Sequence, residues 1–154
     1  MEHARAATID DLPRVLELAR ELRAELRVMR GGALWETRES RLAPFIDALE
    51  KFVSRDDATL MIGSIDEVVV GYGTAELEQL ADGTQLGIIG DLYVEPEGRG
   101  VGVGEAIAEQ LVAFCIDAGC IGIDAFALPG HREAKNFFER AGFTARALVM
   151  HKPL

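Results

Sequence analysis

The spacing of apolar residues in the first part of the chain is helical. Beginning at Leu12, these residues recur every three or four positions, at Val15, Leu18, Leu22, Leu26 and Met29. This period is typical of an amphipathic helix. A short strand is predicted before the helix, over residues 4–8. Gly31 and Gly32 are expected to end the helix. A second helix is predicted over residues 37–53, where Pro44 implies a kink or a restart.

The period then changes to that of strands. Segments rich in Val, Ile, Leu and Tyr follow one another at Ala58–Ile65, Val68–Gln79 and Gln85–Val94. Because short connections of about two to five residues join antiparallel strands, these segments predict a meander. A further helix is predicted over residues 105–118 and a strand over residues 121–128, which a single helical crossover places parallel to Gln85–Val94. The predicted fold is therefore α/β (α+β), with helices flanking a mixed, mostly antiparallel sheet.

Several glycines interrupt the predicted strands, at Gly71, Gly73, Gly87 and Gly90. Glycine weakens strand pairing, and it often marks a bulge or a close approach to the backbone. A bulge, a bound ligand and an ordinary flexible strand position are all compatible with these letters.

Length and charge restrict the class of protein. A chain of 154 residues predicts a single domain, over residues 1–154. It has 16 basic and 26 acidic residues, and its formal net charge is −10. Because a field of this sign repels nucleic acid and attracts cations, no nucleic-acid partner is expected and an amine is a suitable substrate.

The sequence predicts neither a membrane partner nor a metal. No apolar run reaches the roughly 18 residues of a membrane span, and the N-terminus is unlike a signal peptide, so a cytoplasmic location is expected. Cys115 and Cys120 are expected to be reduced thiols. The histidines are too scattered to predict a metal site, at His3, His131 and His151.

The strongest chemical signal lies between residues 91 and 104. Pro96 stops a strand, and glycines follow at every second position from Gly98 to Gly104, directly before a helix. Backbone without Cβ atoms turns tightly and lets a ligand approach its N–H groups. The first turn of the helix adds unpaired donors and the positive end of the helix dipole. This segment therefore suits an anion, above all a phosphate or pyrophosphate.

Two common phosphate-binding motifs do not fit these residues. A P-loop ends in Gly-Lys-Ser/Thr, whereas Glu105 follows Gly104. A dinucleotide fingerprint needs Gly-x-Gly-x-x-Gly. Whether the motif starts at Gly98, Gly100 or Gly102, its sixth position is not a glycine.

The pattern Arg99-x-x-Gly102-x-Gly104 after Asp91-Leu-Tyr-Val resembles the signature of the GNAT superfamily of acyl-CoA N-acyltransferases. The resemblance implies that the glycine-rich segment binds the pyrophosphate of coenzyme A. It also implies that the two parallel strands splay apart, with the pantetheine arm in the gap, facing the backbone of Val94. Acetyl-CoA is then the expected cosubstrate, and no metal is expected.

Residues 131–143 are also similar to GNAT sequences, which carry Asn-x-x-Ala/Ser-x-x-Phe/Leu-Tyr-Glu-x-x-Gly-Phe in a helix followed by the last strands. The chain departs from this pattern at His131, which replaces the asparagine, and at Phe138, which replaces the tyrosine. His131 either contacts coenzyme A or caps its helix. The resemblance assigns to the cosubstrate Leu92, Tyr93, Val94, Arg99, Gly100, Val101, Gly102, Val103, Gly104, Glu105, His131 and Ala134.

Acetyl transfer to an amine needs a base or a water chain to take the proton, donors for an oxyanion, and an acid for the leaving thiolate. Phe138 cannot act as that acid. Asp91 is the first candidate for the base, although strand alternation turns its side chain away from the Val94 face unless a bulge intervenes. A structural hydrogen-bonding role for Asp91 is the alternative, and the other candidate bases are Glu76, Glu78 and His131.

Two residues are candidates for the acceptor site. Trp35 either packs in the core or forms a wall of the pocket, and Glu76 either lies in solvent or recognises a cationic acceptor. Three functions are considered: N-acetyl transfer from acetyl-CoA to an amine of a small molecule or peptide, non-catalytic regulatory binding of acyl-CoA, and a nucleotide-cofactor enzyme of another fold. A homodimer is the assembly considered.

Overall fold

The structure is a computed structural model that describes residues 1–38 and 45–154. It contains a five-stranded sheet with the strand order β1-β2-β3-β4-β5. The strands are β1 (Glu2–Ala6), β2 (Ala58–Ile65), β3 (Val68–Gln79), β4 (Gln85–Val94) and β5 (Gly122–Ala125). Neighbouring strands are antiparallel except β4 and β5, which are parallel. This mixed, mostly antiparallel sheet confirms the predicted fold class.

Helices cover both faces of the sheet. Within the described residues they are α1 (Leu12–Arg27), α2 (Gly32–Arg38), α3 (Phe45–Ser54), α4 (Val103–Asp117) and α5 (Arg132–Arg140). The apolar stripe of α1 is buried and packs with Leu49 and Phe52 of α3 and Leu60 of β2 in one core cluster. The second core cluster lies under α4 and includes Ile89 of β4 and Phe138 of α5.

Glycines let α4 pack closely on the sheet. A Cβ atom at Gly63 would lie 2.5 Å from Val103, and one at Gly73 would lie 2.7 Å from Ile107. A Cβ atom at Gly87 would lie 2.4 Å from Cys115 Sγ. Because such distances are far below van der Waals contact, α4 can reach the strands only where side chains are absent. At Gly73 and Gly87 the close approach is therefore that of a helix, whereas at Gly71 the nearest atom is the backbone oxygen of Tyr93 on β4, at 2.7 Å.

Two irregularities of β4 shape the region near its end. Gly73 pairs with Leu92 and Ala75 pairs with Ile89, so two residues of β4, Gly90 and Asp91, lie opposite the single residue Thr74. This is a β-bulge on β4. Moreover, the parallel pairing ends at Ile89 and Ala125, while β4 continues to Val94. The two parallel strands thus separate, and the last part of β4 has an open edge.

Predicted and observed boundaries differ at several places. The three meander strands have the predicted bounds, whereas β1 begins earlier, β5 is shorter than predicted, and α4 begins at Val103. The proposed kink at Pro44 lies outside the described residues, between α2 and α3. The strands expected after α5 are absent, since no described residue from 141 to 154 is in a strand. That expectation was wrong for this chain.

Candidate active site

The glycine-rich segment forms a tight loop between β4 and α4. Gly100 has φ of 83° and Gly102 has φ of 97°, which is the left-handed region that glycine adopts without strain. The loop is held at its start by bonds from the N–H of Gly98 to Glu95 O and from the N–H of Arg99 to Pro96 O. A Cβ atom at Gly102 would meet Glu2 only at 3.6 Å, so the backbone conformation, rather than space, requires glycine there.

The loop leaves a group of donors available. No other described residue accepts a hydrogen bond from the backbone N–H groups of residues 100 to 105. The first bond that closes the helix runs from Ala106 N to Gly102 O, at 3.0 Å. Because the positive end of the α4 dipole lies at the same place, these N–H groups form a site suited to a phosphate or pyrophosphate.

The open edge of β4 lies next to this loop. The N–H groups of Asp91 and Glu95 both donate to β3, to Thr74 Oγ1 and Val70 O respectively. Since backbone groups alternate along a strand, those of Leu92 and Val94 point to the other side, beyond the end of β5. The open edge and the loop together can hold an extended chain that ends in a diphosphate.

Arg99 ties the loop to its surroundings. Its Nε donates to Val94 O at 2.7 Å, and its Nη2 donates to Glu25 Oε2 at 2.8 Å. Its guanidinium also lies 3.5 Å from Glu133 and stacks over the Tyr93 ring. These contacts join β4, α1 and α5, so the side chain anchors the loop.

Tyr93 points to the α1 side of the sheet. Its hydroxyl donates to Glu21 Oε2 at 3.2 Å. Burial raises the pKa of Tyr93 to about 12, and the carboxylates of Glu21 and Glu25 act in the same direction. The hydroxyl therefore stays protonated at neutral pH and serves as a hydrogen-bond donor.

Asp91 faces the same side of the sheet as Tyr93 and away from Val94, as strand alternation predicts. Asp91 Oδ2 accepts a hydrogen bond from the Tyr72 hydroxyl at 2.9 Å, and Tyr72 is fully buried. Asp91 also lines a pocket, and the bulge reverses the alternation before Asp91, so that Ile89 packs in the cluster under α4.

The pocket beside Asp91 is mostly apolar. Its titratable lining residues are Asp91 and His131. The apolar walls come from α1, α2, β4, α5 and the segment after β5, through Leu22, Leu26, Trp35, Ile89, Leu92, Phe126, Leu128, Ala134 and Phe138. Trp35 is buried in the core, as one interpretation predicted, and it also lines this pocket.

Residues of α5 close the pocket on the opposite side. Phe138 is buried, and its ring packs edge-on against Phe137 and Phe143. Its ring offers no proton donor to the pocket. His131 stands at the start of α5 without a side-chain capping bond, so helix capping does not account for it.

The other predicted site residues are distributed unevenly. Val101 is exposed at the loop, Glu105 is exposed in the first turn of α4, and Val103 is buried under that helix. Glu76 and Glu78 lie on β3, and neither lines the pocket. Glu76 lies near Arg55 and Glu78 near Arg146, whose pKa values they help to raise.

Sequence reasoning missed much of the pocket wall. Tyr72 and the side chains of Leu22, Leu26 and Phe126 come from segments that are distant in the chain. The helical period of α1 indicates only that Leu22 and Leu26 are buried, and no local signal shows that they also border a pocket. For Tyr72, the one signal in the sequence was its position between two glycines of a strand.

The described residues form neither a metal-binding cluster nor a membrane-spanning helix. In residues 1–38 and 45–154, no group of three or more His, Cys, Asp and Glu side chains could hold a metal ion. Among the same residues, no helix is long and apolar enough to cross a bilayer.

The fold resembles solved structures, among them an N-acetyltransferase. Glucosamine-6-phosphate N-acetyltransferase from Arabidopsis thaliana is 22% identical with a TM-score of 0.73, and 99% of this chain aligns with 98% of that one. A tetramutant of the BH1408 protein from Bacillus halodurans is 23% identical with a TM-score of 0.82, over 98% and 99% of the two chains. AAC(6')-Iy, solved with the bisubstrate analogue CoA-S-monomethyl-acetylneamine, is 15% identical with a TM-score of 0.78, over 100% and 98%. At these identities the likeness shows the fold alone.

Sequence comparison shows the family. A search of curated proteins found no match. The family model described as Acetyltransferase (GNAT) family matches residues 16–143. This range includes both β4 with the glycine-rich loop and α5, the two segments on which the sequence resemblance rests. The chain therefore belongs to the GNAT acetyltransferase family.

Proposed function

We propose that the protein transfers an acetyl group from acetyl-CoA to a primary amine of a small molecule or peptide. The observation that carries this proposal is the row of N–H groups at residues 100 to 105, next to the open edge of β4. Acetyl-CoA supplies the acetyl group in activated form, as a thioester. Backbone of the loop would hold its diphosphate, and the backbone of Leu92 together with the N–H of Val94 would hold its extended arm, since Val94 O accepts from Arg99.

In this proposal Asp91 is the base that takes a proton from the acceptor amine. An amine is a nucleophile only when it is neutral, so the site must take a proton from an ammonium ion. Asp91 is the carboxylate that lines the pocket, and the Tyr72 hydroxyl orients it through Oδ2. The negative net charge of the chain also favours the approach of a cation.

The apolar walls favour a particular kind of acceptor. Trp35, Leu26 and Phe126 offer apolar contact, while Asp91 and His131 are the titratable groups of the lining. We therefore expect an acceptor molecule that is partly apolar and carries a primary amine. Two similar solved structures are named a glucosamine-6-phosphate N-acetyltransferase and an aminoglycoside acetyltransferase, so glucosamine-6-phosphate and aminoglycosides are tested as alternative acceptors.

A specific observation favours a second function. Phe138 lines the pocket without a hydroxyl group, so the site lacks a proton donor at this position. A domain that binds acyl-CoA and regulates another protein would not need one. Thiol release with a panel of amines and peptides separates the two functions, since a regulatory domain binds coenzyme A but turns over none of them.

The loop is tested by two matched valine substitutions at the ends of α4. Gly102→Val and Gly119→Val both place a β-branched residue at positive φ, of 97° and 77°. Both variants should be destabilised. Only Gly102→Val should weaken coenzyme A binding, by about ten- to a hundredfold, because a charge-assisted hydrogen bond contributes about 1.5–3 kcal/mol. Calorimetry and thermal melting on the same preparations measure both effects.

Equal coenzyme A affinity in the two variants and the unsubstituted protein would overturn the loop assignment. Tight coenzyme A binding, with no thiol released from acetyl-CoA in the presence of any amine or peptide of the panel, would overturn the catalytic proposal and support the regulatory one.

A further inference from the structure

Two side chains that can exchange protons line the pocket beside the open edge of β4. Within the pocket lining that the structure describes, Asp91 and His131 are the titratable residues. Acetyl transfer to an amine requires that a proton leave the nitrogen and that a proton reach the departing sulfur. Asp91 serves the first step in the proposed function. Phe138 carries no proton donor, so it cannot serve the second step.

His131 lies across the pocket from β4, at the start of α5. His131, Ala134 and Phe138 are at positions i, i+3 and i+7 of the chain, so they share one side of this helix, and all three line the pocket. Residues 90–92 of β4 also line it. These residues follow the end of the parallel pairing with β5, so the open edge and the imidazole border one space.

The backbone of His131 is held in place, whereas its ring is available. The His131 N–H donates to Leu128 O at 2.9 Å, and the His131 carbonyl accepts from the N–H of Lys135 at 3.1 Å. Leu128 is itself buried in the core cluster beside α1. No described residue forms a hydrogen bond or an ion pair with the imidazole. A fixed backbone therefore presents an unpaired ring to the pocket.

Other groups nearby do not offer the same chemistry. The charged residues that follow His131 on α5 are exposed, and they do not line the pocket: Arg132, Glu133 and Lys135. Two tyrosine hydroxyls are already engaged, since Tyr72 donates to Asp91 and Tyr93 donates to Glu21. Imidazole is also the side chain that both accepts and donates a proton near neutral pH.

We propose that His131 carries a proton from the attacking nitrogen to the leaving sulfur, an inference that rests on the acetyl transfer proposed above. Asp91 first takes one proton from the ammonium group. The neutral amine then attacks the thioester carbon, a C–N bond forms, and the imidazole takes a second proton from this nitrogen. As the C–S bond breaks and its electron pair stays on sulfur, the imidazolium gives a proton to the sulfur.

The proton balance closes over one turnover. The nitrogen loses two protons, of which one reaches the sulfur through His131 and the other passes from Asp91 to water. The products are an amide and the thiol of coenzyme A, and both side chains return to their starting forms. His131 is then a catalytic residue, in addition to a residue that borders the cosubstrate.

The test compares single and double variants of the full chain. His131→Asn keeps a polar side chain but removes proton transfer. His3→Asn is the matched control, because it makes the same exchange at an exposed residue of β1 outside the pocket. Thiol release gives kcat and both KM values, while calorimetry and thermal melting give coenzyme A affinity and folding on the same preparations.

His131→Asn should lower kcat by about ten- to a hundredfold and leave coenzyme A affinity unchanged. This loss lies at the low end for general acid–base catalysis because a thiol is a good leaving group. His3→Asn should leave kcat unchanged. Adding Phe138→Tyr to His131→Asn should restore most of the loss, because position 138 lines the same pocket. His131→Ala gives a second readout, since free imidazole added to the assay should raise its rate.

The outcomes separate this inference from the function on which it rests. No thiol release by the parent protein with any amine overturns the proposed function and this inference with it. An active parent protein with an unchanged kcat in His131→Asn overturns this inference alone. A lower coenzyme A affinity at unchanged kcat does so too, because His131 is then only a binding residue. A loss of kcat that neither Phe138→Tyr nor imidazole restores also overturns it, because His131 then does not carry the proton.

Discussion

At the scale of single residues, the position of Asp91 at the bulge in β4 decides what it can do. Asp91 shares the α1 side of the sheet with Tyr93, and there the Tyr72 hydroxyl donates to it. The bulge at Gly90 and Asp91 reverses the alternation, so Ile89 packs on the α4 side. Asp91 is thus the only acidic residue that lines the described pocket, and it lies where β4 is irregular.

Asp91→Asn tests the catalytic role. The change keeps the size of the side chain but removes its ability to accept a proton. If Asp91 is the base, the turnover rate should fall by about 10² to 10⁴ with little change in coenzyme A affinity. Turnover, coenzyme A affinity and melting temperature are measured on one preparation.

Tyr72→Phe is the matched control for this experiment, because it removes the hydrogen bond to Oδ2 and keeps the carboxylate. It should cost less than about tenfold in rate, since the base itself remains. If both variants melt earlier and keep their turnover per folded molecule, Asp91 is a structural residue and the assignment fails.

Phe138→Tyr asks whether the pocket needs a proton donor at α5. Phe138 lines the pocket, so a new hydroxyl would reach the same space. We expect turnover within about tenfold of the parent rate, because a thiol is a good leaving group and an added acid helps only where proton transfer limits the rate. Turnover rates of the variant and the parent protein are compared at several pH values. An increase of a hundredfold or more would show that the native site is impaired.

At the scale of elements, the packing of α4 depends on missing side chains. Gly63, Gly73 and Gly87 lie on three adjacent strands, and Cβ atoms there would collide with Val103, Ile107 and Cys115. The tight fit also isolates Cys115. Burial raises the pKa of its thiol to about 11, so it stays protonated and unreactive at neutral pH.

Gly87→Ala should lower stability through this contact. The new methyl group would lie 2.4 Å from the buried Cys115 Sγ, and overpacking of this kind costs about 1–3 kcal/mol. Gly122→Ala is the matched control on the neighbouring strand, because its Cβ would meet only Leu86, at 3.9 Å. Urea unfolding of both variants measures the difference. Equal free energies of unfolding would mean that α4 shifts away without cost.

At the scale of the whole molecule, several of the acidic residues form ion pairs with arginines. The Arg5 guanidinium bonds to Asp11 at 2.8 Å and holds the pKa of that carboxyl below its ordinary value of 3.8. Arg146 lowers the pKa of Asp124 in the same way. A group with a lowered pKa stabilises the folded state when it is ionised.

The sign of the resulting pH dependence follows from this direction. The contribution of Asp11 is present in full above pH 3.8 and is lost as the pH falls through its lower folded pKa. Asp11→Asn should therefore reduce the free energy of unfolding at pH 7 by about 0.5–1 kcal/mol, since Arg5 is half exposed. The difference from the parent protein should shrink towards zero as the pH falls well below 3.8. Denaturant titrations at pH 7 and in acid measure it, and a difference that does not change with pH would contradict the ionic origin.

The sequence by itself determined the order and type of most elements. The bounds of β2, β3 and β4 follow from their composition and from the turns between them, because strand period and turn chemistry are local properties. The glycine-rich loop could also be predicted, since positive φ at Gly100 and Gly102 is a requirement of the backbone itself. Motif recognition at residues 91–104 and 131–143 was sufficient to indicate the family.

The tertiary structure decided how distant segments meet. The bulge depends on the register between β3 and β4, the Tyr72–Asp91 contact spans 19 residues, and the Arg99–Glu25 contact spans 74. The absence of strands after α5 was likewise invisible in the letters, because the resemblance over residues 131–143 implies last strands without showing how the following residues pair. Local patterns report what each segment can form. Only the packing of those segments against each other decides which side chains share a pocket and which edge of the sheet stays open.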